Sequence, residues 1–250
     1  QLIRDQTRMN CGLVVEAGGT RVLMDCGFGL ADSVTRLARL GLQATDLAGI
    51  VVTHEHSDHI GGVGRLARRH GLPVWLTAGT LAMAQDLDGV AVQVIDSHAA
   101  FAVDELEIQP FPVPHDAREP VQYVFGDGDR RLGVLTDTGS DTPHIEAMLA
   151  GVDALVLECN HDAAMLENGP YPTSLKRRVG GRFGHLENGQ SAALLDRLKH
   201  AKLQCVMAAH VSRKNNTAAL AQRALAQVLN CADDEVRVAC QTTGFDWIRI

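Results

Sequence analysis

The run Ile50-Val51-Val52-Thr53-His54-Glu55-His56-Ser57-Asp58-His59-Ile60-Gly61-Gly62 changes character twice in a short distance. Its first three residues are apolar and β-branched, the composition of a buried strand. The imidazoles of His54, His56 and His59 and the carboxylate of Asp58 then fall within six residues, in a His-x-His-x-Asp-His pattern. Two glycines close the run, and helical periodicity follows from Val63 to His70. The cluster therefore sits on a tight turn just past the C-terminal end of a buried strand, where layered α/β folds gather their chemistry. Imidazole and carboxylate are the usual ligands of Zn²⁺, Mn²⁺ or Fe. A lone histidine on a loop is ordinarily a solvated residue. Four ligand-type residues at this spacing behind an apolar strand point to a metal site.

Working outward, the same placement recurs. His115 follows the predicted strand Leu106 to Val113, Asp137 follows Arg131 to Thr136, and His210 follows Gln204 to Ala209. Asp25 closes a strand over Thr20 to Cys26, which forms a hairpin with Gly12 to Ala17 across Gly18-Gly19. Further strands are predicted at Val74 to Thr77, Val90 to Ile95, Val121 to Phe125, Ala154 to Glu158, Glu235 to Cys240 and Asp246 to Ile250. Helices are predicted at Ala31 to Leu40, near Leu81 to Leu87, and at Thr142 to Ala150, Asn188 to His200 and Thr217 to Asn230. Strands come in groups with helices between the groups. That pattern suits an α/β fold of two face-to-face sheets with helices outside, although pattern alone leaves a doubly wound sheet open. With no linker-like stretch or repeat, residues 1–250 read as a single domain.

The composition is 46% hydrophobic and 4% aromatic, with 30 acidic and 23 basic side chains and a formal charge of −7. Such a balance argues against non-specific coating of nucleic acid, so any polynucleotide must meet a local basic patch. No apolar run approaches the ~20 residues of a membrane span, and Gln1 to Met9 has no apolar signal-peptide core. The six cysteines form no Cys-x-x-Cys pair and read as thiols in a reducing cytoplasm.

Two further histidines stand past strand or before helix: His161 in Asn160-His161-Asp162 and His185 in Gly184-His185-Leu186. Either could hold a phosphate oxygen or give a proton to a leaving alkoxide. His70, His98, His144 and His200 read as surface residues. Between His161 and His185, a loop and a helical turn end in Lys176-Arg177-Arg178, extended by Arg182. After His210 come Ser212, Arg213, Asn215 and Asn216. These are candidate phosphate contacts in an otherwise acidic chain.

His54, His56, Asp58 and His59, with His115, Asp137 and His210 following in that order, resemble the signature of the metallo-β-lactamase superfamily. The stretches around Asn160-His161-Asp162, Gly169-Pro170-Tyr171-Pro172, Ser174 to Arg178, Gly184-His185-Leu186 and Ser212-Arg213-x-Asn215-Asn216 are similar to its YycJ/WalJ (VicX) branch, related to RNase Z-type nucleases. The resemblance implies a four-layer αββα sandwich holding two divalent metals. His54, His56 and His115 would hold one, Asp58, His59 and His210 the other, and Asp137 would bridge them. Zn²⁺ is the first expectation, with Mn²⁺ or Fe as alternatives. Asp58 would also help hold the nucleophilic water, and Asp25 would orient a ligand histidine. The implied activity is a phosphodiesterase or 5′-to-3′ exonuclease acting on DNA or RNA ends, with no membrane partner. A small-molecule hydrolase cutting a cyclic phosphodiester, lactone or thioester is the alternative. Two departures stand out: Asp5-Gln6-Thr7-Arg8-Met9 replaces the branch's Gly/Ser-rich loop, and Glu187 replaces its usual serine.

Overall fold

A computed structural model describes residues 10–242 and 244–250. The Asp5–Met9 departure lies outside the described residues. The first half of the chain runs β1 (Leu13–Ala17), β2 (Thr20–Met24), α1 (Leu30–Arg39), β3 (Gly49–Val51), α2 (Ser57–Ile60), α3 (Val63–His70), β4 (Val74–Thr77), α4 (Ala78–Met83) and β5 (Val92–Ile95). The second half runs β6 (Phe101–Val103), β7 (Leu106–Pro112), β8 (Val121–Gly126), β9 (Arg131–Leu135), α5 (Pro143–Leu149), β10 (Ala154–Glu158), α6 (Ala163–Asn168), α7 (Thr173–Val179), α8 (Asn188–Leu198), β11 (Cys205–Ala209), α9 (Ala218–Leu229) and β12 (Arg237–Val238).

β1 to β5 form one sheet in sequence order, parallel except for the β1–β2 hairpin. β6 to β12 form a second sheet, antiparallel from β6 to β9 and parallel from β9 to β12. Side-chain alternation assigns the layers. Val22, Met24 and Val51 of the first sheet pack with Leu106, Ile108, Tyr123, Phe125 and Val134 of the second. Their chain neighbours Leu23 and Ile50 turn the other way, onto Leu37 of α1 and Val63 and Leu66 of α3. On the far side, Val124, Leu135 and Leu155 meet Ile145 and Leu149 of α5, Leu194 of α8 and Leu225 of α9. Three separate cores between four layers make an αββα sandwich.

Three readings change. Asp246–Ile250 has no regular structure; Trp247 instead donates its indole N–H to Leu40 O. The helix near Leu81–Leu87 stops at Met83, and Arg68 draws Asp86 O and Asp88 O into a turn. The turn bearing the histidines contains a single helical turn, α2. Among the described residues no helix is long and apolar enough to cross a membrane.

Candidate metal centre

The candidate site lies where strand ends of the two sheets meet. Tyr123 donates its hydroxyl to Val52 O at 2.7 Å, and Val121 N–H donates to Thr53 O at 3.0 Å, so the turn after β3 is tied to the second sheet. Backbone shape then aims the side chains. Among the described residues five non-glycines have positive φ, and three of them are Asp25 (59°), Asp137 (48°) and His210 (53°), each just past a strand. Left-handed backbone at a non-glycine is uncommon and collects at functional sites. Gly27 lets its loop lie on the turn: a Cβ there would stand 1.8 Å from Asp58 O. Gly139 does the same for residues 182–184, bringing Gly184 O within 3.0 Å of His115 Nδ1.

His54 is fully buried. Thr53 Oγ1 gives its proton to Asp25 Oδ2 (2.9 Å), so it accepts from His54 Nδ1–H at 2.9 Å. That tautomer leaves the His54 Nε2 lone pair facing inward. Burial, helped by the neighbouring His59, pushes the His54 pKa well below its ordinary value and keeps the ring neutral. Burial also lowers the pKa of His115. His56 Nδ1 and His115 Nε2 approach to 3.2 Å. Ring nitrogens of His54, His56 and His115 lie mutually within 4.8 Å.

His59 donates Nδ1–H to Asp25 Oδ2 at 2.8 Å, which turns Nε2 inward. His210 donates Nδ1–H to Glu158 Oε1 at 2.8 Å. Burial opposes charge on both rings. Asp137, with Cys11 and carboxylates behind, outweighs it and raises both pKa values well above the ordinary one. Nitrogens of His59 and His210 lie within 4.8 Å of each other and of the Cys11 sulfur. Asp137 joins the two sets, converging with His54 and His59 in one group and with His210, His185 and Glu158 in another.

This donor set fits divalent ions on its own unmet needs. Among the described residues, His54 Nε2, His59 Nε2 and Asp137 Oδ2 are buried without a hydrogen-bond partner. His59 Nε2 and Asp137 Oδ2 are 3.2 Å apart, yet not aligned to bond each other. Buried polar atoms are rarely left so, and atoms with lone pairs converging on one point are what a cation satisfies.

Other sequence candidates are placed differently. Asp58 is half-buried in the same turn but stands outside the converging groups, and its main-chain oxygen accepts from Cys11 N–H at 2.8 Å. His185 donates Nδ1–H to Glu158 Oε1 at 2.9 Å and its side chain is 21% exposed, which opens it to a substrate. His161 is buried with Nδ1 unpartnered. Lys176, Arg177 and Arg178 form the last turn of α7, where cations complement the helix dipole. Arg178 pairs with Asp116, and Arg177, Arg182 and Arg213 are exposed. Asn215 and Asn216 are buried instead of exposed: Asn216 exchanges amide hydrogen bonds with Asn188 at 2.8 and 3.0 Å, and the Asn215 side-chain amide is buried without a hydrogen-bond partner among the described residues. The Ser212 hydroxyl accepts from Asn215 N–H in its own turn. Glu187 is the N-cap of α8, where a carboxylate is favoured.

Sequence reasoning passed over Glu158 and Cys11. Glu158 is fully buried. One of its oxygens takes both His185 and His210, and the other takes Thr138 N–H (3.0 Å) and Leu186 N–H (3.2 Å). Burial favours its neutral form, but His185, then His210, hold its pKa down to about 2. The available signal was a carboxylate closing an otherwise apolar strand.

Residues 20–207 match the family model described as "Beta-lactamase superfamily domain". The chain is 36% identical over 228 residues to the exodeoxyribonuclease YycJ of Bacillus anthracis, covering 87% of this chain and 84% of that protein. It is 30% identical over 225 residues to the exodeoxyribonuclease WalJ of Streptococcus pneumoniae, covering 88% and 84%. The crystal structure of the metallo-β-lactamase fold protein YhfI from Bacillus subtilis superposes with a TM-score of 0.73 over 96% of both chains at 17% identity. That last likeness concerns the fold.

Proposed function

The chain belongs to the metallo-β-lactamase superfamily, in the branch of the YycJ and WalJ exodeoxyribonucleases, and from that premise we propose that it is a binuclear metal-dependent phosphodiesterase acting on DNA ends. The observation that carries this is the pair of three-residue sets joined through Asp137. We assign His54, His56 and His115 to one ion, His59 and His210 to the other with Asp58 as a candidate beside it, and Asp137 to both. Zn²⁺ is the ion assigned, since a histidine-rich set suits it. Held there, two such ions would supply a water of near-neutral pKa and neutralise charge on the phosphoryl oxygens.

The protein's own part is orientation and proton handling. Glu158 fixes His185 and His210 through their Nδ1 protons, leaving each Nε2 for other work. His185, the more exposed, is assigned the grip on a phosphoryl oxygen or proton delivery to the leaving oxygen. Arg177, Arg178, Arg182 and Arg213 offer exposed positive charge that the chain as a whole lacks. Cysteines that form no disulfide among the described residues support a reducing, cytoplasmic setting.

The test combines metal analysis with hydrolysis of bis(p-nitrophenyl) phosphate and of end-labelled DNA. Two ions per chain and shortening of DNA from its ends are expected. Hydrolysis of the small phosphodiester with DNA left intact would move the assignment to a small-molecule hydrolase on the same scaffold.

A further inference from the structure

We propose that the Cys11 thiolate is a ligand of the second metal position, alongside His59 and His210. The inference rests on the binuclear reading and adds a residue that the superfamily signature does not contain. Its basis is convergence: the Cys11 sulfur and one nitrogen each of His59 and His210 lie mutually within 4.8 Å. Three donors around one cation, each ~2.0–2.3 Å from it, stand no more than ~4.6 Å apart, so a group converging within about this limit is close enough to hold one ion.

Both imidazoles are already committed on their outer side, His59 Nδ1 to Asp25 and His210 Nδ1 to Glu158. A metal-binding histidine is held in this way. His59 is fully buried and its Nε2 lacks a hydrogen-bond partner, so the space beside Cys11 has an unmet demand independent of the cysteine.

The chain fixes Cys11 there. Its N–H donates to Asp58 O at 2.8 Å, and its carbonyl accepts from Gly27 N–H at 2.9 Å. Gln241 Nε2 donates to the carbonyl of the preceding Asn10 at 3.0 Å. One main-chain bond thus ties the cysteine to the histidine turn and another ties it to the loop after β2. Binding replaces the S–H bond with a sulfur–metal bond and passes the proton to solvent, with no change of oxidation state. A thiolate among imidazoles makes this position softer than the His54, His56 and His115 set. It should favour Zn²⁺ or Co²⁺ over Mn²⁺.

The experiment loads the full chain and its Cys11→Ser variant with Co²⁺, counts bound ions, and records near-ultraviolet spectra. Expected are two ions in the parent with a sulfur-to-cobalt charge-transfer band. Cys11→Ser should lose the band and bind its second ion at least ~10-fold more weakly, the lower end of what loss of even an outer partner of a ligand costs. Two ions without the band would overturn the Cys11 assignment and leave the binuclear reading standing. A single ion at saturation would overturn the binuclear reading, and this inference with it. Should Cys11→Ser fail to fold, X-ray absorption of the zinc-loaded parent decides: a sulfur neighbour at about 2.3 Å supports the assignment, and a shell of nitrogen and oxygen alone overturns it.

Discussion

The two candidate ligand sets are built from the same ring and held in different ways. His54, His56 and His115 lean on neutral acceptors: Thr53 Oγ1, Asp116 O and Gly184 O. His59 and His210 each lean on a buried carboxylate, Asp25 and Glu158. A carboxylate behind an imidazole raises its basicity and strengthens it as a ligand, but also as a base that a proton can occupy. The positions are therefore electrostatically unequal before any ion arrives. His54 and His115 are held neutral by burial, whereas Asp137 and its neighbours favour charge on His59 and His210.

Removing what the sets share should have the largest effect. Asp137→Ala takes one converging oxygen from both positions. We expect fewer than two ions per chain and a loss of bis(p-nitrophenyl) phosphate turnover on the order of 10³-fold. Near-normal turnover with two ions bound would refute the shared role. Glu158→Gln should act on one position alone, because the imidazoles it holds are those of His210 and His185 and none of the first set. The second ion should bind ~10–100-fold more weakly while the first is retained. The variant should also lose about 3–5 kcal/mol of stability, as expected when one partner of a buried charge pair goes. Glu158 is depressed to about 2, so its contribution is present above the ordinary carboxylate value of ~4.3 and lost as pH falls through about 2. Urea titrations of parent and variant should converge towards that acid limit.

The inequality also predicts an order of loss on acidification. A raised histidine pKa means that a proton competes with the ion up to higher pH, while a lowered one leaves the ring neutral. The second position should therefore empty first as pH falls, near or above the ordinary imidazole value of ~6.5. Metal content after equilibration with a weak chelator across pH should fall from two ions to one, then to none. Simultaneous release of both would erase the distinction between the sets.

The candidate ligand turn was legible because its signal is local: an apolar strand, then His54 to His59, within one short run. His115, Asp137 and His210 were legible for the same reason, each one step past an apolar strand. Glu158 was hidden because what defines it is remote: four donors at residues 138, 185, 186 and 210 that only the folded sheet brings together. Cys11 was hidden likewise, since sequence shows a thiol and not the rings 48 and 199 positions away. Asn215 and Asn216 misled in the opposite direction. Two amides beside two cations look exposed, but both are buried, and Asn216, in the loop before α9, is paired with Asn188 at the start of α8. Asp246–Ile250 has strand-like composition, and Trp247 finds a partner in Leu40 O at the end of α1 in place of a ladder.

The smallest expected effect concerns the rim, where the comparison turns from metals to substrate. Both ligand sets are buried or half-buried, while Arg177 and Arg178 are exposed at the end of α7. Arg178 is already paired with Asp116, whose pKa is lowered: burial opposes that shift, and the Arg178 hydrogen bond together with the charges of His115, Arg178 and His56 outweighs it. Part of the positive charge is thus spent inside the protein, and a phosphate must share it. Arg177→Ala with Arg178→Ala should weaken DNA binding uniformly across sequences and flatten its salt dependence by roughly one unit per lost phosphate contact. Bis(p-nitrophenyl) phosphate reaches only the metal sets, so its hydrolysis should barely change. The ratio of DNA to small-substrate turnover, taken at low and high salt, therefore isolates the rim from the centre. A ratio unchanged by the double substitution would remove these arginines from the DNA path and favour the small-molecule alternative, while the two metal sets would stand.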